Sequence, residues 1–256
     1  MKRLLPFLAA VLLCAPAHAQ DPDANSLSYV QASIENVSDA LFKKGILKTT
    51  DPAAIEEYVR IHQCGIYEQY QRDDFSWGRI REAQARDLES RLNALPDGLE
   101  VTNIIRITQY DMNTNQFMLD PKSVLNNVGF LTVFHEPSGY IKSCDYPFVP
   151  RVHPLSLIMK IDTPVTLTGI PMSQQDATNL LNEINLRRGP DEERRNVMLV
   201  FRVRLTGIDP LTASTDLMHR TVLGELDDIR VYEGANRKTL LFRKVFENPQ
   251  GKSGKN

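Results

Sequence analysis

The chain has 256 residues, 42% apolar and 24% charged, with 13 Gly and 15 Pro. That is enough for one large domain or two small ones, and it is neither a disordered nor a collagen-like composition. Thirty basic against 32 acidic residues leave a formal charge of −2, which removes any bulk electrostatic case for nucleic acid, and three cysteines are too few for a disulfide-dense scaffold.

Residues 1–19 read as a secretory signal peptide: Lys2 and Arg3 form a basic start, Leu4 to Cys14 an apolar core, and Ala17-His18-Ala19 a small-x-small cleavage site before Gln20. The apolar stretch is shorter than the ~20 residues of a spanning helix and contains Pro6 and Pro16, which argues against an anchor. Leu13 before Cys14 is too bulky for a lipidation site. No later segment approaches membrane length, so the expectation is a bacterial protein that is periplasmic or secreted and keeps no transmembrane segment after cleavage. Cleavage leaves 28 basic against 32 acidic residues, a charge of −4. It also leaves two cysteines, Cys64 and Cys144, which in an oxidising compartment are expected to pair as a disulfide.

Residues 20–98 carry helical periodicity. Leu27, Val30, Ile34, Val37 and Leu41 form one stripe, with Ser26 placed to cap it and Gly45 to stop it. Asp51-Pro52 opens a second helix with Ile55, Tyr58, Val59, His62, Ile66 and Tyr70 on one face, and Cys64 falls within it. A third runs from Ser76 through Trp77, Ile80, Gln84, Leu88, Leu92 and Leu95 to Leu95-Pro96-Asp97-Gly98.

From Leu99 the period shifts toward two, and residues 99–247 read as a β-rich region. The candidate strands are 100–110, 115–119, 128–135, 140–144, 156–161, 197–207, 222–233 and 238–246. Most are expected in hairpins, with His135-Glu136-Pro137-Ser138-Gly139-Tyr140 turning the chain back toward Cys144. Ser173 caps one inserted helix bearing Ala177, Leu180, Leu181 and Ile184. Residues 248–256 lack apolar anchors and read as a disordered tail. The predicted fold is α+β: an N-terminal helical segment packed as one unit on a mainly antiparallel sheet with one inserted helix. Segments 107–119 and 229–242 share a strand–loop–strand pattern that an internal duplication would produce, although only the pattern matches.

Chemistry-bearing patterns are sparse. Asp111-Met112-Asn113-Thr114-Asn115 matches the start of a calcium loop, but Gln116 replaces the turn glycine and Lys122 the closing carboxylate, so a hairpin turn is expected. His62, His135, His153 and His219 lack metal-ligand spacing, and neither a metal site nor a cofactor is predicted. No Gly-x-Ser-x-Gly elbow or complete phosphate loop occurs. Candidate catalytic residues are therefore limited to His135 and His153 near turns, with Asp145 or Glu136 as carboxylate partner. Arg187, Arg188, Arg194 and Arg195 bracket three acids and form a candidate patch for an anionic partner. The Pro-x-x-Pro run from Tyr146 to Pro154 reads as a stiff connector across the sheet. The leading expectation is an exported, non-catalytic binding or envelope-interaction module with a protein or envelope partner. The rival is a hydrolase with a histidine–carboxylate site between sheet and helices.

Overall fold

The computed structural model describes residues 29–143, 146–210 and 218–246. The signal segment 1–19, Cys144 and Asp145, and the tail 248–256 lie outside the described residues.

The described residues begin with a short strand, and the expected cap Ser26 and Leu27 lie outside them. Tyr29–Gln31 (β1) is extended, and the first helix, α1, spans Ile34–Lys43. Its cap is Ser33, whose Oγ accepts the Asn36 amide at 3.3 Å, and Gly45 at φ 66° ends the turn that follows. Of the expected stripe, Val37 and Leu41 are buried on α1, Ile34 is half-buried at its start, and Val30 belongs to β1. Helix α2, Pro52–His62, begins as the sequence predicts, with Asp51 Oδ1 accepting the Ala53 amide at 2.9 Å. It stops at Gln63, where φ −135° and ψ 52° break the helix, so Cys64 opens a separate helix, α3 (Cys64–Tyr70). Ile66, expected on the buried face, is consequently exposed. Helix α4, Asp74–Arg91, starts before Ser76 because Asp73 accepts the amides of both Phe75 and Ser76 at 3.2 Å. A single 3-10 turn, Leu92–Ala94, precedes the proline.

The sheet then builds from long strands: β2 (Gly98–Asp111), β3 (Gln116–Leu119), β4 (Leu125–His135), β7 (Ser156–Leu167), β8 (Gly169–Pro171), β9 (Asn196–Ile208), β10 (His219–Tyr232) and β11 (Leu240–Val245). Its order is β4-β7-β10-β9-β2-β3-β8, with β1 also on β2 and β11 also on β10. Most pairs are antiparallel, as predicted, but β1–β2 and β7–β10 are parallel, so the sheet is mixed. The chain does not turn back onto β4 after His135. β4 pairs with β7 instead, and β5 (Ile141–Ser143) pairs with β6 (Tyr146–Phe148) in a separate two-stranded sheet. Ile141 and Phe148 bury this small hairpin with Leu155 against Ile34 and Ile61, which gives its apolar side chains a partner that β4 would not.

Alternation sets the two faces. Val197, Leu199, Phe201, Val203 and Leu205 of β9 are all at most 1% exposed, in one core that also holds residues of α1, α2 and α4. On the other face, buried Val200 lies among a row of paired charges. Arg202 Nε meets Glu100 Oε1 at 2.9 Å, Arg204 holds Asp227 with two nitrogens at 2.8 and 2.5 Å, and Arg230 and Arg243 hold Asp228 at 3.0 and 2.9 Å. Glu100, Asp228 and Arg230 are nearly solvent-free, and pairing is what makes that burial tolerable.

The two long hairpins at 107–119 and 229–242 both form, as β2–β3 and β10–β11. Strands β11-β10-β9-β2-β3-β8 curl toward a barrel: β11 comes within 8 Å of β8, Cα to Cα, yet the two do not pair. Helix α5 (Gln174–Leu186) leaves this open seam and buries Ala177, Leu180 and Ile184 in the core, as its pattern predicts. A short helix, α6 (Asp191–Arg194), occupies what reads in sequence as loop.

Where β10 crosses the core, Gly224 lets Met159 approach the backbone. A Cβ there would lie 2.1 Å from Met159 Sδ and 3.2 Å from the Arg204 carbonyl. Gly224→Ala is therefore expected to cost about 1–3 kcal/mol through overpacking. Urea unfolding measures this, and an unchanged midpoint would mean that Met159 repacks freely.

Candidate functional site

Three places gather polar side chains. The first is the seam between α2 and the connector after β6. Glu57, on α2, is 4% exposed, and its carboxylate accepts three consecutive amides: those of Arg151, Val152 (3.3 Å) and His153 (2.8 Å). Burial pushes its carboxyl pKa up, and the three amide donors oppose that shift. The proline-rich run is thus held as a connector, but by a carboxylate anchor that spacing does not reveal.

His153 lies in this seam at 1% exposure. Its Nδ1 is 3.1 Å from the Pro154 carbonyl, and its Nε2 has no hydrogen-bond partner. Burial, with the positive charges of Arg220 and His62 adding to it, pushes the imidazole down to about 4. The folded chain therefore excludes a proton that the unfolded chain takes up near pH 6.5. Neutral burial stabilises fully above that pH, and the contribution is lost as pH falls toward 4, by up to about 3 kcal/mol. His153→Phe is expected to flatten this part of the stability profile in urea titrations between pH 7 and 4; an unchanged slope would contradict it. His135, by contrast, is exposed at the end of β4. The two candidate histidines share no site, and Asp145 lies outside the described residues.

The second place was not foreseen. Tyr58 and His62, one turn apart on α2, stack with ring centroids 4.1 Å apart. Asp39 Oδ1 on α1 accepts the Tyr58 hydroxyl at 3.1 Å and lies 3.5 Å from His62 Nε2, while Arg91 Nη2 on α4 donates to the same hydroxyl at 2.7 Å. Burial, first of all, pushes the His62 imidazole down. With Tyr58 only 2% exposed, the set clamps three helices together and offers no open face to a substrate. The available signal was a Tyr and a His at i, i+4, which reads equally well as an apolar face.

The third place is the open seam. A cleft of about 830 Å³ lies between α5 and the β10–β11 hairpin, lined by Ser173, Asp176, Asn179, Leu180 and Glu183 on one side and Glu233, Thr239, Leu240 and Leu241 on the other. Arg187 braces its rim, donating to the carbonyls of Arg194 (2.8 Å), Asn196 (3.2 Å) and Glu233 (3.0 Å) and to Glu233 Oε1 (2.9 Å). Arg195 donates to the Thr108 carbonyl at 2.6 Å. Two of the four candidate arginines thus hold backbone together, and Arg188 alone of the four is exposed, the others being half-buried. The Asp111 loop is an Asx turn: Oδ1 accepts the Asn113 amide at 2.9 Å and Oδ2 the Thr114 hydroxyl at 2.8 Å. Among the described residues, no group of three or more His, Cys, Asp or Glu side chains could hold a metal ion, and no helix is long and apolar enough to cross a membrane.

These features define an α+β domain built on a large mixed sheet, with a cleft at an open strand seam. Residues 51–183 match the family described as domain of unknown function DUF4852, and the chain belongs to that family. The match runs from the cap of α2 into α5 and stops short of β9 and β10, the strands at the centre of the sheet. No curated protein and no solved structure matches the chain.

Proposed function

We propose that the protein is an exported, non-catalytic binding module that engages a partner in the envelope or outside the cell through the cleft at the open seam. The observation that carries this reading is the cleft itself, which sets apolar Leu240 and Leu241 of β11 across from Asp176 and Glu183 of α5, beside strand edges that are unpaired among the described residues. The catalytic alternative finds less support: the ring of His153 meets a backbone carbonyl rather than a carboxylate, and His135 is exposed on the surface.

Export is supported by the leader pattern and by the two cysteines that remain after cleavage, which an oxidising compartment would pair. Cys144 is the expected partner of Cys64. It follows directly on β5, and the β5–β6 hairpin reaches the Cys64 side of the helices: the Arg60 guanidinium lies 4.1 Å from the Phe148 ring and 4.8 Å from that of Tyr67.

Two measurements test the reading. Protein recovered from fractionated cells is expected to begin at Gln20 and to leave the cytosol; material retaining Met1 in the cytosol would overturn export. A photocrosslinker at Asn179 is expected to give one defined adduct in envelope extracts, absent when the probe stands at Asp87 on α4. Equal labelling from both positions, or none, would overturn the cleft as the binding site.

A further inference from the structure

We infer that the occupant of the cleft is an extended, cationic stretch of a partner polypeptide, laid as an added strand along the free edge of β11. This rests on the binding reading above and names the chemistry of its partner.

The edge comes first. A curled sheet that stops short of closure leaves backbone donors and acceptors on its terminal strands, and an extended peptide can satisfy them. The two edges at this seam are not equivalent. β8 is three residues long and ends in Pro171, which has no amide to donate, so it is a poor template. β11 is six residues long, about 20 Å of strand, and pairs on one side only, with β10. Of the two charges on this strand, Arg243 turns away onto Asp228 at 2.9 Å, while exposed Lys244 rests its Nζ 5.1 Å from the centre of the Phe246 ring. Leu240 and Val245, at the two ends of β11, remain 47% and 59% exposed.

Charge then selects the occupant. Among the described residues, the ionisable side chains lining the cleft are the three acids Asp176, Glu183 and Glu233. Arg187 neutralises Glu233, leaving Asp176 and Glu183 on α5, opposite β11. An incoming strand presents alternate side chains to one face, so lysines or arginines at every second position would meet α5 while its backbone pairs with β11. An anionic lipid or nucleic-acid phosphate meets the wrong sign here.

The test uses the mature chain and fluorescein-labelled octapeptides read by anisotropy. An alternating Lys–Val peptide is expected to bind, and a Glu–Val peptide at least tenfold more weakly. Methylating the peptide's backbone amides in two complementary sets is expected to abolish binding for one set and spare the other, because only one set faces β11. Glu183→Lys, an exposed and therefore foldable change, is expected to weaken the Lys–Val peptide at least tenfold. Equal affinity for both peptide charges, indifference to methylation, or displacement by spermidine at comparable concentration would overturn the proposal, the last by marking a site for small polycations. If Asn179 crosslinks a partner while no peptide binds, this inference falls and the binding reading stands; if neither occurs, both fall.

Discussion

Glu57→Ala is expected to lower the free energy of unfolding by about 3–5 kcal/mol. The carboxylate is the common acceptor for the amides of Arg151, Val152 and His153, and its removal strands donors in a seam where His153 is almost completely buried. Each orphaned buried donor costs about 1–3 kcal/mol. Glu57→Gln separates charge from hydrogen bonding, since one amide oxygen can still accept while the NH2 group faces donors. It is expected to fall between wild type and alanine in urea unfolding. A loss below about 1 kcal/mol for the alanine variant would mean that water replaces the carboxylate and that the anchor is dispensable.

Cys64→Ser is expected to cost about 4–5 kcal/mol if its sulfur closes a loop of roughly 80 residues with Cys144. A long loop gives a large effect because the crosslink removes many open conformations from the unfolded chain. The local geometry suits the role, since Cys64 begins α3 directly after the break at Gln63, near the small hairpin that Ile34 and Ile61 help bury. The check is unfolding with and without reductant. Reduction is expected to bring the wild type down to the variant, whereas a wild-type protein indifferent to reductant would remove the crosslink from the account of this fold.

What the sequence reveals here is local, and what it hides is pairing at a distance. Ser173, Asp51-Pro52 and the stripe Ala177, Leu180 and Ile184 are read correctly because caps and periodicity act within a few residues. The first helix is expected too early because Val30 fits a helical stripe as well as an extended segment, and only the partnership of β1 with Gly98–Glu100 decides between them. The break at Gln63 has no proline or glycine before it to announce it. β6 and β8 are three residues each, too short for alternation to register, and the parallel contact of β7 with β10 joins segments about sixty residues apart. The seam was equally hidden. Leu240 and Leu241 read as an ordinary strand start, and Glu183 as a solvated helix position, until the sheet curls and sets them across from one another. Glu57 lies off the apolar stripe of α2, so nothing in its neighbourhood distinguishes it from the less buried Glu56.

The register of the central ladder also governs when the molecule can assemble. β2 begins at Gly98, yet the partner that covers one of its edges, β9, runs from Asn196 to Ile208, and β9 in turn needs β10, which ends at Tyr232. A nascent chain stopped at Leu186 holds every helix from α1 to α5 but lacks the two strands that fill the middle of the sheet. Such a fragment has only half a scaffold to collapse upon, so cooperative folding must wait until nearly all of the polypeptide is available. Contacts of that sequence separation also slow the search, placing refolding among the slower β-rich topologies rather than with helical bundles. If the chain is exported, as proposed above, and crosses unfolded, late closure of the sheet would keep it pliable until passage is complete.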